Sequence, residues 1–293
     1  MKSSAIVKRL LPLVYFLIVS LPHHFFSDLF DKYLLIPFGM DSVQSWANVV
    51  SVGLILGVGA LGVYVMRVQR RVAVRHLLAW LATLILIYAA DRYFIVNNIE
   101  RIHFPQYAVL AMLLSLSLPN HVLNFFVTCF AGLFDEFLQF VMNPSRTNYL
   151  DFNDIVLNIL GAALGVIIVL SLTGKKQSIR GSYESRLRLA FFGIVSAIVL
   201  MTGAAFASGR VVMFADVPKD HRHVFAVLDG KLSFILSFET NNHFWQVADN
   251  GKQFHAMTFY EAVVLIAVLL FLYRFIIMWL ERTADPFTPQ THK

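Results

Sequence analysis

Eight predominantly apolar stretches divide this chain, and each comes close to the roughly 20 residues that a helix needs to cross about 30 Å of hydrocarbon. They run over Val7–Leu21, Ala47–Met66, His76–Val96, Phe104–Leu118, His121–Met142, Asp154–Leu172, Leu187–Ala207 and Phe259–Leu280. With no water in that layer to satisfy backbone polar groups, such stretches must be helical. The expected fold class is an all-α polytopic membrane protein of about eight transmembrane helices, with a small extracytoplasmic β element between the last two. Charged residues make up 14% of the 293 positions and hydrophobic ones 58%. An average soluble domain carries about a quarter charged residues, so this balance excludes disorder and places the chain in a bilayer. The single cysteine, Cys129, excludes a disulfide framework or a thiolate cluster built from this chain alone.

The basic residues that give a net charge of +6 lie in short segments between apolar stretches, a pattern of topology rather than of nucleic-acid binding. Lys2, Lys8 and Arg9 precede the first stretch; Arg67, Arg70, Arg71 and Arg75 join the second to the third; Lys175, Lys176, Arg180, Arg186 and Arg188 join the sixth to the seventh. Positive segments stay in the cytoplasm. Both termini are therefore expected there, with an uncleaved N-terminal anchor. Gly53, Gly57 and Gly62 in the second stretch read as packing glycines. Residues 208–258 face outward on this topology. In them Val224–Leu228, Asp229-Gly230 and Lys231–Phe238 spell a hairpin, because Asp-Gly supplies the positive φ of a tight turn. Leu232, Phe234, Leu236 and Phe238 would form its apolar face, and Asp249-Asn250-Gly251 marks a second turn.

The fifth stretch contains Asp135, Glu136 and Gln139. Each ionised carboxylate at a helix centre costs about 2.5–3.5 kcal/mol, and the twelve Leu, Phe and Val of that stretch return roughly 4–7 kcal/mol. The helix stands near the insertion threshold, so its acids call for partners or a wet cavity. Glu136 and Gln139 share a face. In the sixth stretch Asp151, Asp154, Asn158, Gly161 and Gly165 follow at spacings of 3, 4, 3 and 4, a single stripe that is polar at one end and glycine-lined further in. Gly161 and Gly165 are expected to pack against the fifth helix. Arg146, just before the stripe, could hold a carboxylate or an anionic ligand in two parallel hydrogen bonds. Arg101, His103 and Tyr107 stand at the outer end of the fourth stretch. The ligand-binding candidates are thus His103, Tyr107, Glu136, Gln139, Arg146, Asp151, Asp154 and Asn158, converging on one outward pocket, with Asp135 assigned to structural pairing or to snorkelling at the lipid surface.

The run Asp135–Gly165 and the upstream His103–Leu110 segment resemble the VanZ-like family of bacterial membrane proteins, named for a teicoplanin-resistance member. Glu136, Gln139, Pro144, Arg146, Asp154, Asn158, Gly161 and Gly165 match its E-x-x-Q, P-x-R, D-x-x-x-N and G-x-x-x-G elements, and His103 and Tyr107 its His-Phe and Tyr element. The likeness covers about residues 90–172. It divides the chain into N-terminal helices over 1–96, a VanZ-like core over 97–172, a seventh helix within 173–207, the β-rich segment over 208–258 and a last helix with a cytoplasmic tail over 259–293. It implies an association with glycopeptide resistance, and carries no biochemical activity with it.

His221, His223, His243 and His255 invite a metal reading, but no carboxylate or cysteine stands at ligand spacing, so neither a metal nor a cofactor is expected. The chain has no Walker loop, Gly-x-Ser-x-Gly elbow or His-Glu-x-x-His. The leading expectation is recognition of an amphipathic envelope molecule, such as a lipid-linked glycan or a lipoglycopeptide. An intramembrane hydrolase or transferase acting on such a lipid and a purely structural protein are the alternatives. Membrane lipids are the expected surroundings, with no nucleic-acid partner.

Overall fold

The computed structural model describes residues 2–20, 31–68, 73–118, 120–142, 149–173, 181–214, 224–228, 230–237, 243–248 and 251–282. Eight α-helices lie in these residues: α1 Lys2–Ser20, α2 Ile36–Val68, α3 Ala73–Tyr93, α4 His103–Leu114, α5 His121–Met142, α6 Phe152–Thr173, α7 Gly181–Ala207 and α8 Phe259–Arg282. Six of them, α2, α3, α5, α6, α7 and α8, are long and apolar enough to cross a membrane. Exposed Val49, Leu56, Ile85, Leu189, Leu200 and Phe271 give the outer helices the apolar surface that lipid requires.

α4 is shorter than its apolar stretch suggests. Its 12 residues rise about 18 Å at 1.5 Å each, and Ser115–Ser117 form turns where a continued helix was expected. A 3-10 turn over Asn98–Ile102 runs directly into it and adds about 10 Å. α2 is longer than expected, because it starts at Ile36 and kinks at Gly39, whose φ of 77° only glycine adopts without strain.

α6 forms the centre. Every residue from Ile155 to Ser171 is buried, which explains its lack of an amphipathic period: α3, α4, α5 and α8 surround it. Glycine sets the closest approach, but not against the expected neighbour. A Cβ on Gly161 would stand 2.6 Å from the carbonyl oxygen of Phe104, and one on Gly165 would overlap the Ala108 carbonyl and lie 2.8 Å from Ala108 Cα. The Gly161/Gly165 stripe therefore seats α4, not α5. The α5–α6 approach depends on Gly132, where a Cβ would come 2.8 Å from Asn158 Cβ. In α2, among the described residues, Gly53 and Gly57 have nothing within 4 Å and Gly62 touches Trp80, so packing among these residues does not require the first two.

The two ends of the bundle differ in chemistry. At one end His76 Nδ1 and Trp80 Nε1 lie 2.7 and 3.0 Å from Ser171 Oγ, and the Arg75 guanidinium lies over the Trp279 ring. At the other end the Asn153 amide, opening α6, donates to the carbonyls of Phe94 and His255 and accepts from the Met257 amide. The start of α6, the end of α3 and the approach to α8 are thereby pinned together.

Two small sheets belong to that second end. β2 (Phe225–Leu228) and β3 (Lys231–Ser237) form the expected hairpin, with Leu228 opposite Lys231 and Gly230 at φ 73°. β1 (Val211–Phe214) joins β3 in parallel, a pairing not expected from the sequence. β4 (Gln246–Val247) and β5 (Gln253–Phe254) pair across the second turn. On β3 the more deeply covered face is Ser233, Ile235 and Ser237, while Leu232 is exposed. Ser233 Oγ donates to the Gly209 carbonyl, Phe234 lies tilted against Phe137 and edge-on to Phe140 of α5, and the Leu150 amide donates to the Ser237 carbonyl. The sheet thus rests on the polar end of α5 and on the segment entering α6.

Candidate functional site

The polar residues of α4, α5 and α6 meet at the end of the bundle where the sheets sit. His103 opens α4, and its Nδ1 lies 2.8 Å from Asn158 Oδ1 on α6. Asn158 Nδ2 donates at 3.0 Å to Glu136 Oε1 on α5, one turn beyond the Gly132 notch that admits it. Nδ1 of His103 is also 3.8 Å from Glu136 Oε1, and its Nε2 is 3.5 Å from Asp154 Oδ2. One nitrogen or oxygen from each of His103, Glu136 and Asp154 falls within a 4.8 Å group.

Burial grades outward through the site. Asn158, Glu136 and His103 are buried, whereas the Asp154 side chain retains 18% of its exposure. Tyr107, one turn after His103, is buried and donates at 2.7 Å to Asp135 Oδ2. Asp135 is thus paired structurally, as expected of it, and does not snorkel to the surface.

The remaining candidates separate. Asp151 caps α6: its Oδ1 accepts from the amides of Asn153 and Asp154 at 2.9 and 3.4 Å, the position where an acid satisfies open N–H groups. Gln139 is half-buried, and its side-chain nitrogen has no acceptor among the described residues. Arg146, with Pro144, lies outside the described residues, as do His221 and His223. His255 stacks on Phe244 and lies 3.3 Å from Glu261, so it belongs to no histidine cluster among the described residues.

Arg101 does not turn toward the polar site. Its guanidinium forks onto both oxygens of Asp91 at 2.5 and 3.1 Å and donates to Asn48 Oδ1, tying α2, α3 and α4 together. Beside it an apolar groove of about 260 Å³ runs between α2 and the start of α4, lined by Trp46, Val50, Leu54, Ile99, Ile102 and Pro105. Groove and polar site flank the same first turn of α4. Glu100, in the 3-10 turn, accepts from the amides of Val96 and Asn97 at 2.8 and 3.0 Å. Burial pushes its carboxyl up to about 7, helped by the nearby Asp151 and opposed by those amides and by Lys252.

Gly132 carried a readable signal that went unused, since it stands four residues before Glu136 and shares its face. The Tyr107–Asp135 bond had none. No family model, no characterised protein and no solved structure matches this chain.

Proposed function

We propose that this is a multi-pass protein of a bacterial cytoplasmic membrane that recognises an amphipathic envelope molecule, a lipid-tailed glycan or glycopeptide, at the outer ends of α4, α5 and α6. In this reading all eight helices cross the bilayer, and the 3-10 turn before α4 stands outside it. Both termini are cytoplasmic, and the two sheets lie outside. The observation that carries the proposal is the juxtaposition at the first turn of α4. On one face a buried His–Asn–Glu chain opens through Asp154; on the other lies an apolar groove. A polar head and an apolar tail each find a matching surface there. The resemblance to the VanZ-like family supplies the ligand class and the link to glycopeptide resistance.

Binding in nanodiscs tests this with a lipoglycopeptide and the same glycopeptide lacking its tail. Wild type should prefer the tailed probe by at least tenfold. Asp154→Asn should weaken both probes, while Val50→Trp, which fills the groove, should erase only the preference for the tail. Equal binding of the two probes by wild type overturns the proposal.

One observation favours a second reading, an intramembrane hydrolase or transferase: His103 stands between two carboxylates, an arrangement suited to general-base work. Product formation by mass spectrometry from a lipid-linked glycan, lost in His103→Ala, distinguishes it from binding alone.

A further inference from the structure

We propose that His103, Glu136 and Asp154 form a binding site for one divalent transition-metal ion of the Zn²⁺ class, with Asn158 as its outer support. The inference concerns the polar site discussed above but does not rest on the amphipathic-ligand reading, and it departs from the sequence, which called for no metal.

The argument begins with proton placement. Glu136 as a carboxylate only accepts, so the Asn158 amide turns its NH₂ toward it and its oxygen toward His103. That oxygen accepts the hydrogen of Nδ1, and the neutral imidazole then carries its lone pair on Nε2. Nε2 lies 3.5 Å from Asp154 Oδ2. Two donors on a four-coordinate ion with bonds of about 2.0–2.1 Å stand about 3.4 Å apart, which is close to this separation. A metal-bound histidine ordinarily gives its other ring N–H to a fixed acceptor, and Asn158 Oδ1 is that acceptor here.

The scaffold holds these donors in place. Each comes from a different helix: His103 from α4, Glu136 from α5, Asp154 from α6. Their spacing is set by glycines, with the His103 and Phe104 carbonyls seated on Gly161 and Asn158 seated on Gly132. One ligand atom from each of the three side chains lies within 4.8 Å of the other two. A carboxylate swing of about 1 Å therefore brings all three to bonding distance of one ion. One imidazole and two carboxylates select Zn²⁺, Mn²⁺ or Fe²⁺ over the all-oxygen preference of Ca²⁺ and Mg²⁺. The exposed edge of Asp154 leaves a coordination position open to solvent or a ligand.

The test uses the full, tag-free protein in nanodiscs with no envelope molecule added, stripped with chelator and titrated with Zn²⁺ and with Co²⁺. The expected result is one equivalent bound, a visible Co²⁺ spectrum, and at least 100-fold weaker binding in both His103→Ala and Asp154→Asn. Asn158→Ala should lose about 10–100-fold. Absence of binding by folded wild type, or unchanged affinity in the two ligand variants, overturns the proposal. If the variants do not fold, X-ray absorption on Zn²⁺-loaded wild type decides. One imidazole by its outer-shell scattering, with the other first-shell donors light atoms at about 2.0–2.1 Å, supports it; two or more imidazoles, or sulfur, overturn it. Metal without lipoglycopeptide binding, or the reverse, separates this proposal from the functional reading.

Discussion

Glu100 combines two demands that conflict. Its carboxylate satisfies the amides of Val96 and Asn97 at the entry to the 3-10 turn, yet burial raises its titration from the ordinary 4.5 to about 7. The folded chain holds this proton more tightly than the unfolded chain does. Its stabilising contribution is therefore full below about pH 4.5 and is lost as pH rises through about 7. The expected loss is on the order of 1–2 kcal/mol after allowance for solvent screening. Thermal unfolding in nanodiscs should show a wild-type midpoint falling between pH 5 and pH 8 by more than that of Glu100→Gln. Parallel slopes would remove Glu100 as the cause. Nothing in the spacing around residue 100 foretold this, because the shift comes from burial in the folded chain, with Asp151 adding to it.

Between elements, the decisive contacts are made by glycine, and only some glycines matter. Gly165→Ala should force α4 and α6 apart against backbone that cannot yield, lowering stability by about 1–3 kcal/mol. Gly57→Ala, with open space around it, should stay within about 0.5 kcal/mol of wild type. Melting curves of the two variants side by side check both, and equal effects would refute the assignment of the α4–α6 seam. The stripe from Asp151 to Gly165 was legible because a 3, 4, 3, 4 spacing has one geometric meaning on a helix. Its partner was not legible: small residues announce a close approach without naming what approaches, and the next helix along the chain, α5, was expected where α4 in fact sits. Asp151 caps α6 from that same face, near enough to Glu136 and Asp154 for the charges to interact. On β3 the alternation was correct, but the covering of the serine face depends on Gly209, reached through a parallel strand that no turn signal marks.

For the whole molecule, sidedness is the property that joins fold to function. The ends of α3, α6 and α8 gather so that the His76–Ser171 and Arg75–Trp279 contacts lie at one end and the Asn153 hub at the other. This is the alternation that the basic connections require. In a background where buried Cys129 is replaced by Ala, Ser208→Cys should react with an impermeant maleimide added to intact cells. Arg67→Cys should react only after the cells are opened. The opposite pattern would invert the topology and move the polar site to the cytoplasmic leaflet.

The enclosure of α6 also has a consequence for biogenesis. One wall of its sheath comes from Ala262, Leu269, Tyr273 and Ile277 of α8, which the ribosome makes long after α6 has entered the bilayer. During that interval acyl chains or an insertion chaperone must stand where α8 will dock. A nascent chain halted ahead of Phe259 should consequently remain crosslinkable along α6 to such neighbours, and should become shielded once synthesis passes Arg282.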